Sequence, residues 1–358
     1  MSKNIVICCD GTGNEFSKNN SNVVKLYSVL DQGANQISYY HPGLGTMGSK
    51  NALSAIGKWW TKIIGLAFGY GLSENIADAY QFLMRNYEDG DRIYVFGFSR
   101  GAYTARALAG LLHMFGLLTK GNEALIPYAI RLAKQKNPDF NLIYKFKDTF
   151  SNPCKTHFLG VFDTVASVGL IYNAVHFPYT TKNPDLNVVR HSMSIDERRA
   201  FFRQDQFTKA TPDQDIKQVW YSGVHCDVGA GYPELESGLS KISLKWMLEE
   251  AKQNGLLVDE YKERNMLGDN PHYIKPDPKG MLHKSLKRWW WIGEIMPKIH
   301  NSSTVVNGET VWKKSIRINL ARPRYIDATM AVLDNSVIER MKDIPEYRPP
   351  NIKSFWIP

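Results

Sequence analysis

Hydrophobic positions along this chain fall into two alternating rhythms. Short unbroken apolar runs, stopped by glycine or a polar residue, read as buried strands; stretches in which apolar residues return every three or four positions read as helices. Residues 4–9 form the first such run and end on Asp10-Gly11-Thr12-Gly13-Asn14. Residues 22–30 carry helical spacing, with Val23, Leu26, Tyr27 and Leu30 on one side. Residues 36–40 read as a second strand, leading into His41-Pro42-Gly43-Leu44-Gly45-Thr46, and residues 47–72 are rich in glycine and aromatics and assign to neither class. Ser73 is expected to cap a helix over 74–87, whose apolar stripe is Ile76, Ala79, Tyr80 and Leu83. After the Asp89-Gly90 turn, residues 92–97 read as a strand and Arg100 opens a helix.

Two further strands are expected at 156–162 and 216–224, and a last clear helix at 241–253, capped by Ser240 and closed by Gly255. Beyond about Leu256 the pattern gives way to proline, tryptophan and basic residues, with one late strand at 315–321. Strands alternating with helices predict an α/β fold, a mainly parallel sheet with helices on both faces and a C-terminal elaboration. The expected organisation is one domain over 1–358, within which 256–314 forms a tryptophan-rich, basic insertion or lid.

Composition narrows the class. Hydrophobic residues make up 43% and charged residues 22%, as in a globular protein with a core. No run reaches 18 uninterrupted apolar residues, which argues against a spanning helix. Met1-Ser2-Lys3-Asn4 leads into a run too short for a signal-peptide core, so the chain is expected to be cytoplasmic as synthesised. Cys8, Cys9, Cys154 and Cys226 sketch no disulfide or metal framework and are expected to be buried free thiols. No cofactor and no metal are expected. The net charge of +9, from 44 Lys and Arg against 35 Asp and Glu, favours anionic partners. That surplus is spread along the chain with no nucleic-acid-binding motif, so a nucleic-acid partner is not expected.

The chemistry enters at Gly97-Phe98-Ser99-Arg100-Gly101, which fits G-x-S-x-G between a predicted strand and a predicted helix. In that setting the serine sits on a strained turn that only small flanking residues allow. Ser99 is the candidate nucleophile, and the Arg100 amide at the helix start is a candidate oxyanion donor. A serine needs a base, and the base an orienting acid. Functional groups of a parallel sheet gather beyond the carboxyl ends of its strands. The strand at 156–162 delivers Asp163 there, and the strand at 216–224 delivers His225. Asp227, two residues past His225, is a rival acid or a brace for its glycine-rich turn. His113 and His157 read as structural; His41, His191, His283 and His300 remain alternatives to His225.

The second oxyanion donor is expected from Gly11 and Thr12, in a loop that could equally serve as a phosphate-type nest. Asp10 is expected to brace that loop or bind a cation. Two aromatic clusters remain: Trp59-Trp60, and Trp289-Trp290-Trp291 beside Lys284, Lys287 and Arg288. The second has the composition of a segment that meets anionic head groups, or of a packed lid.

With these residues in view, the chain resembles the uncharacterised α/β-hydrolase family that includes the first group of type VI secretion phospholipase effectors. The resemblance is carried by Gly97-Phe98-Ser99-Arg100-Gly101-Ala102-Tyr103-Thr104-Ala105-Arg106, by 162–168 and 223–232, by Ile195-Asp196-Glu197-Arg198-Arg199 and by 336–340 with 347–351. It implies an α/β-hydrolase-like fold, Ser99 as nucleophile, Asp163 as acid, His225 as base, and hydrolysis of carboxylic esters, phospholipid acyl esters foremost. Family members often carry a histidine where Asp334 stands here, and Gly-Gly-Gly where this chain has Gly229-Ala230-Gly231. The expected partners are a lipid or small-molecule ester substrate, a membrane surface met peripherally, and a secretion or immunity partner with delivery to another cell or compartment. A small-ester or sugar-ester esterase and a non-catalytic binding module are the competing readings.

Overall fold

The computed structural model describes residues 2–11, 19–43, 71–165, 177–287, 290–295, 298–306, 309–327 and 331–352. The chain opens with β1 (Asn4–Cys9), α1 (Asn22–Val29) and β2 (Gln36–His41), followed by α2 (Leu72–Asn86), β3 (Arg92–Phe98) and α3 (Arg100–Phe115). The two-residue strand β4 (Leu117–Leu118) pairs antiparallel with β5 (Ser151–Asn152), and α4 (Ile126–Ala133) and α5 (Phe140–Phe150) lie between them. Next come β6 (Thr156–Phe162), β7 (Leu186–Ser194), β8 (Asp215–Tyr221), α6 (His225–Gly229), α7 (Gly238–Gln253) and α8 (Glu260–Arg264). The remainder holds α9 (Trp290–Ile295), an antiparallel hairpin of β9 (Lys298–Val306) and β10 (Glu309–Arg317), β11 (Val332–Leu333) and α10 (Asn335–Asp343).

Among the described residues, seven strands form one sheet in the order β11-β8-β7-β6-β3-β1-β2, every neighbouring pair parallel. Alternation within β1 explains the two layers around it. Ile5, Ile7 and Cys9 face a core shared with α2, α3, α4 and α5. Val6 and Cys8 face the opposite core, shared with α1 and α7. The chain therefore buries both faces of the sheet, as a parallel sheet requires. The chain runs from β1 to β2 on one side and then crosses back from β2 to β3 on the other side of β1. The crevice at this reversal lies beyond the carboxyl ends of β1 and β3, where Gly11 and Ser99 stand.

Several element boundaries depart from the sequence expectation. Helix α2 starts at Leu72 with Gly71 at its N-cap at φ +82°, so Ser73 lies inside the first turn. Helix α7 starts at Gly238, with Ser237 at the N-cap and Ser240 inside. The late strand expected at 315–321 is instead β10, ending at Arg317 in the separate hairpin, and the sheet gains the short β11. Strand β7 was not anticipated, because its buried interior is polar. Arg190 pairs there with Glu250 and Asp215, His191 contacts Gln218, and Ser194 donates to Asp163. The C-terminal stretch covers that side of the sheet: Ile326, Val337, Met341 and Ile352 pack on Met193, Ile195 and Trp220.

Candidate active site

Ser99 joins β3 to α3 at φ +58°, ψ −118°, a conformation that a residue with a side chain adopts only under strain. The flanking glycines make the turn sterically feasible. A Cβ on Gly101 would lie 2.1 Å from the Cys9 carbonyl oxygen and 2.5 Å from that of Asp10. A Cβ on Gly97 would lie 2.5 Å from the Gly101 carbonyl oxygen. Ser99 N–H donates to the Phe162 carbonyl at 3.1 Å, which ties the turn to the end of β6. Arg100 is the first residue of α3, so its N–H has no acceptor within the helix.

The residue after β6 is Asp163, held at φ +39° and fully buried. His225 opens α6 beyond β8 and is buried as well. Its Nδ1–H donates to Asp163 Oδ2 at 2.6 Å. An ionised carboxylate only accepts, so the proton sits on Nδ1 and Nε2 is left as the basic nitrogen. Phe98 stacks on the imidazole at 4.6 Å between centroids, and Phe202 meets it edge-on at 4.8 Å. Gly229 makes the stack possible, since a Cβ there would fall 1.8 Å from the Phe98 ring.

Burial alone would push the Asp163 carboxyl up. The Arg324 guanidinium and the His225 hydrogen bond outweigh burial and hold it below the usual carboxylate range. Arg324 donates Nη1–H to Asp163 Oδ1 at 2.5 Å and Nη2–H to Oδ2 at 3.0 Å, while Ser194 donates both its N–H and its hydroxyl. Burial pulls the His225 imidazole below its ordinary value, against the opposing pull of Asp163. The backbone N–H of His225 donates to Glu197, which also accepts from Arg199. Burial raises the Glu197 carboxyl, but Arg199, with Arg324 and His225, outweighs burial and brings it to about 2.

Asp227 does not meet His225. It accepts from His283 Nδ1 at 2.6 Å and from the amides of His283 and Val224, so it ties the C-terminal segment to α6. His283 reaches Glu236 on its other side and stacks on Tyr232 at 3.6 Å. His41 faces Asp78 at the end of β2, and His191 lies buried within β7. Asp10 accepts from the Gly11 amide at 2.6 Å and from the hydroxyls of Ser21 and Tyr40, the bracing geometry for its loop. Thr12 lies outside the described residues, as do Trp59, Trp60, Arg288 and Trp289. His300 lies in β9.

A profile of the type VI secretion phospholipase effectors, Tle1-like, catalytic domain, matches residues 3–250. The chain belongs to this family. The match covers β1 through most of α7, and so every strand of the main sheet except β11. The family is one of phospholipases, and thus of hydrolases. An uncharacterised protein of Saccharomyces cerevisiae, YEL023C, is 40% identical over 302 residues, which are 79% of this chain and 43% of that one. The chain thus spans under half the length of that relative. Two solved structures are similar at lower identity. An uncharacterised protein from Pseudomonas aeruginosa has 22% identity and a TM-score of 0.42, covering 73% of this chain and 47% of that one. The Tle1 effector bound to the VgrG spike has 15% identity and a TM-score of 0.43, covering 93% of both chains.

Around the Ser99 turn the structure gathers residues to which sequence reasoning gave no role. Glu197 and Arg199 stand in the quoted Ile195–Arg199 run, where two adjacent arginines beside an acid were the available signal. Phe202 and Arg324 sit in irregular stretches, and nothing in their spacing marks them. Arg324 lies beyond the matched residues and 161 positions from Asp163.

Proposed function

We propose that this protein is a serine ester hydrolase that cleaves phospholipid acyl esters through an acyl-enzyme on Ser99. The observation that carries this reading is the buried 2.6 Å pair of His225 and Asp163, beyond the same strand ends as the strained Ser99 turn. His225 Nε2 takes the Ser99 hydroxyl proton as Oγ attacks the ester carbonyl. Asp163 fixes the imidazole and stabilises its protonated form. The developing oxyanion is received by the Arg100 amide and the Gly11–Thr12 loop. Within that loop the Gly11 amide donates to Asp10 at 2.6 Å in the free protein, and the Thr12 amide is the other donor proposed. The leaving alcohol departs with the proton from His225. Water, deprotonated by the same nitrogen, then releases the fatty acid.

A phosphate in the substrate would answer a second feature. Nη2 of Arg100, the residue after the nucleophile, is buried with no hydrogen-bond partner among the described residues. Burial brings that guanidinium down to about 9. Peripheral contact with a membrane belongs to the same reading. On α9, Trp291 and Ile295 are exposed, as are Ile318 and Leu320, whose segment Glu294 ties to α9. Lys284 and Lys287 are exposed just before that helix. We assign residues 256–314 as an interfacial or lid insertion of one domain. In keeping with the effector family, a secretion or immunity partner and delivery to another compartment are part of the proposal.

The test is fatty-acid release from phospholipid vesicles, beside hydrolysis of a short soluble ester, by wild type and Ser99→Ala. Wild type should release fatty acid and the variant should lose about 10⁴-fold or more in turnover. Turnover of the soluble ester alone would favour a small-ester or sugar-ester esterase. No turnover by folded wild type would favour a binding module.

A further inference from the structure

We propose that Arg324 is a positioning residue of this site, contributed by the C-terminal stretch, whose guanidinium clamps the Asp163 carboxylate in place for His225. The inference rests on Ser99, His225 and Asp163 acting as nucleophile, base and acid.

The clamp is specific in geometry. Nη1 reaches Asp163 Oδ1 and Nη2 reaches Oδ2, the fork that a guanidinium forms with a carboxylate and an ammonium cannot. The rest of the guanidinium is held as firmly. Nη1 also donates to the Ser194 carbonyl and hydroxyl oxygens at 3.1 and 2.8 Å. Nε and Nη2 donate to the Phe202 carbonyl at 3.1 and 2.5 Å. Phe202 is the residue whose ring meets the His225 imidazole. The Arg324 side chain is 1% exposed, and Asn351 donates to the Arg324 and Ile195 carbonyls, which fixes its backbone.

The arrangement has a consequence that simple packing would not. Asp163 divides its charge between a permanent cation and the imidazole. With the cation removed, the buried Asp163–His225 pair takes up a proton at higher pH, whichever of the two groups carries it. Among the described residues, the other charged and titratable groups that face the pair are Glu197, Arg199, Cys226 and His191, and a substitution at 324 leaves all four in place. Arg324 therefore keeps His225 unprotonated, and able to act as base, to lower pH than the Asp163 pair alone would allow.

The measurement is kcat and KM for a soluble nitrophenyl ester across pH, for wild type, Ser99→Ala, Arg324→Met and Arg324→Lys, each checked for folding by circular dichroism. In Arg324→Met the acid limb of kcat/KM should move up by roughly one to two pH units. In Arg324→Lys the charge remains and the limb should stay near wild type. There kcat should fall by about tenfold with KM little changed, because the fork is lost. A folded Arg324→Met whose acid limb coincides with wild type overturns the inference. Should Arg324→Met not fold, an Arg324→Lys enzyme with wild-type kcat and limb overturns it as well. Wild-type turnover that Ser99→Ala does not remove overturns the triad reading, and the clamp with it; Ser99-dependent turnover with an unmoved Arg324→Met limb overturns the clamp alone.

Discussion

At the scale of single residues, the site depends on positions where no side chain fits. A methyl group at Gly101 would collide with the Cys9 and Asp10 carbonyl oxygens, which belong to the end of β1 and have little freedom to yield. Gly33, by contrast, has nothing within 4 Å of a Cβ. Gly101→Ala should therefore destabilise the fold by about 2 kcal/mol or more, a fall in Tm of about 5 °C, while Gly33→Ala stays within about 0.5 kcal/mol of wild type. Thermal denaturation followed by circular dichroism compares them, and equal Tm values would show that the turn is not the tight junction described. Ser99 was legible because a strained serine turn demands small neighbours in sequence. Asp163 and His225 were legible because parallel strands deliver functional groups at their carboxyl ends. Arg324, Glu197 and Phe202 were not legible, since a buried ion pair between segments far apart in sequence leaves no local period.

Among the elements, β1, β3 and β6 announced themselves by apolar runs, and β7 did not. Its buried Arg190, His191 and Ser194 are satisfied by partners from other elements, so its polarity reads as a loop until those partners are in place. The same physics links the ends of β7 and β8. Asp196 N–H donates to the Gly223 carbonyl at 2.9 Å, and Asp196 Oδ2 accepts from the Gly223 N–H at 2.7 Å and from the Tyr347 hydroxyl at 2.8 Å. Burial lifts the Asp196 carboxyl to about 6, and the two hydrogen bonds only partly restrain it. A carboxyl raised in the folded state costs stability when ionised, so the cost is full above pH 6 and is relieved as pH falls towards the unfolded value near about 3.9. Asp196→Asn keeps an acceptor oxygen without the charge. Its Tm should exceed that of wild type at pH 8, with the advantage shrinking through pH 6 and gone near pH 4. A Tm difference independent of pH would contradict this.

For the whole molecule, the C-terminal third packs against the sheet and reaches the candidate site. It covers Met193 and Trp220, brings His283 to Asp227 and brings Arg324 to Asp163. It also carries exposed Trp291 and Ile295 beside exposed Lys284 and Lys287. Among the described residues no helix is long and apolar enough to cross a membrane. The peripheral contact proposed above would rest on these side chains and on the +9 balance, each basic residue near an anionic surface contributing about 1 kcal/mol, less as salt rises. Ser99→Ala protein should co-sediment with anionic vesicles, release as salt is raised, and bind more weakly when Trp291 and Ile295 are both changed to Ala. Equal binding to neutral and anionic vesicles, or binding unaffected by the double change, would place the contact elsewhere.

The central claim is that Ser99 is the nucleophile, and a covalent adduct reads it most directly. Wild-type protein treated with a fluorophosphonate, digested and sequenced by mass spectrometry should carry a single adduct, on the peptide that contains Ser99, and Ser99→Ala should carry none. A folded wild type left unlabelled, or one labelled at a different serine, would contradict it.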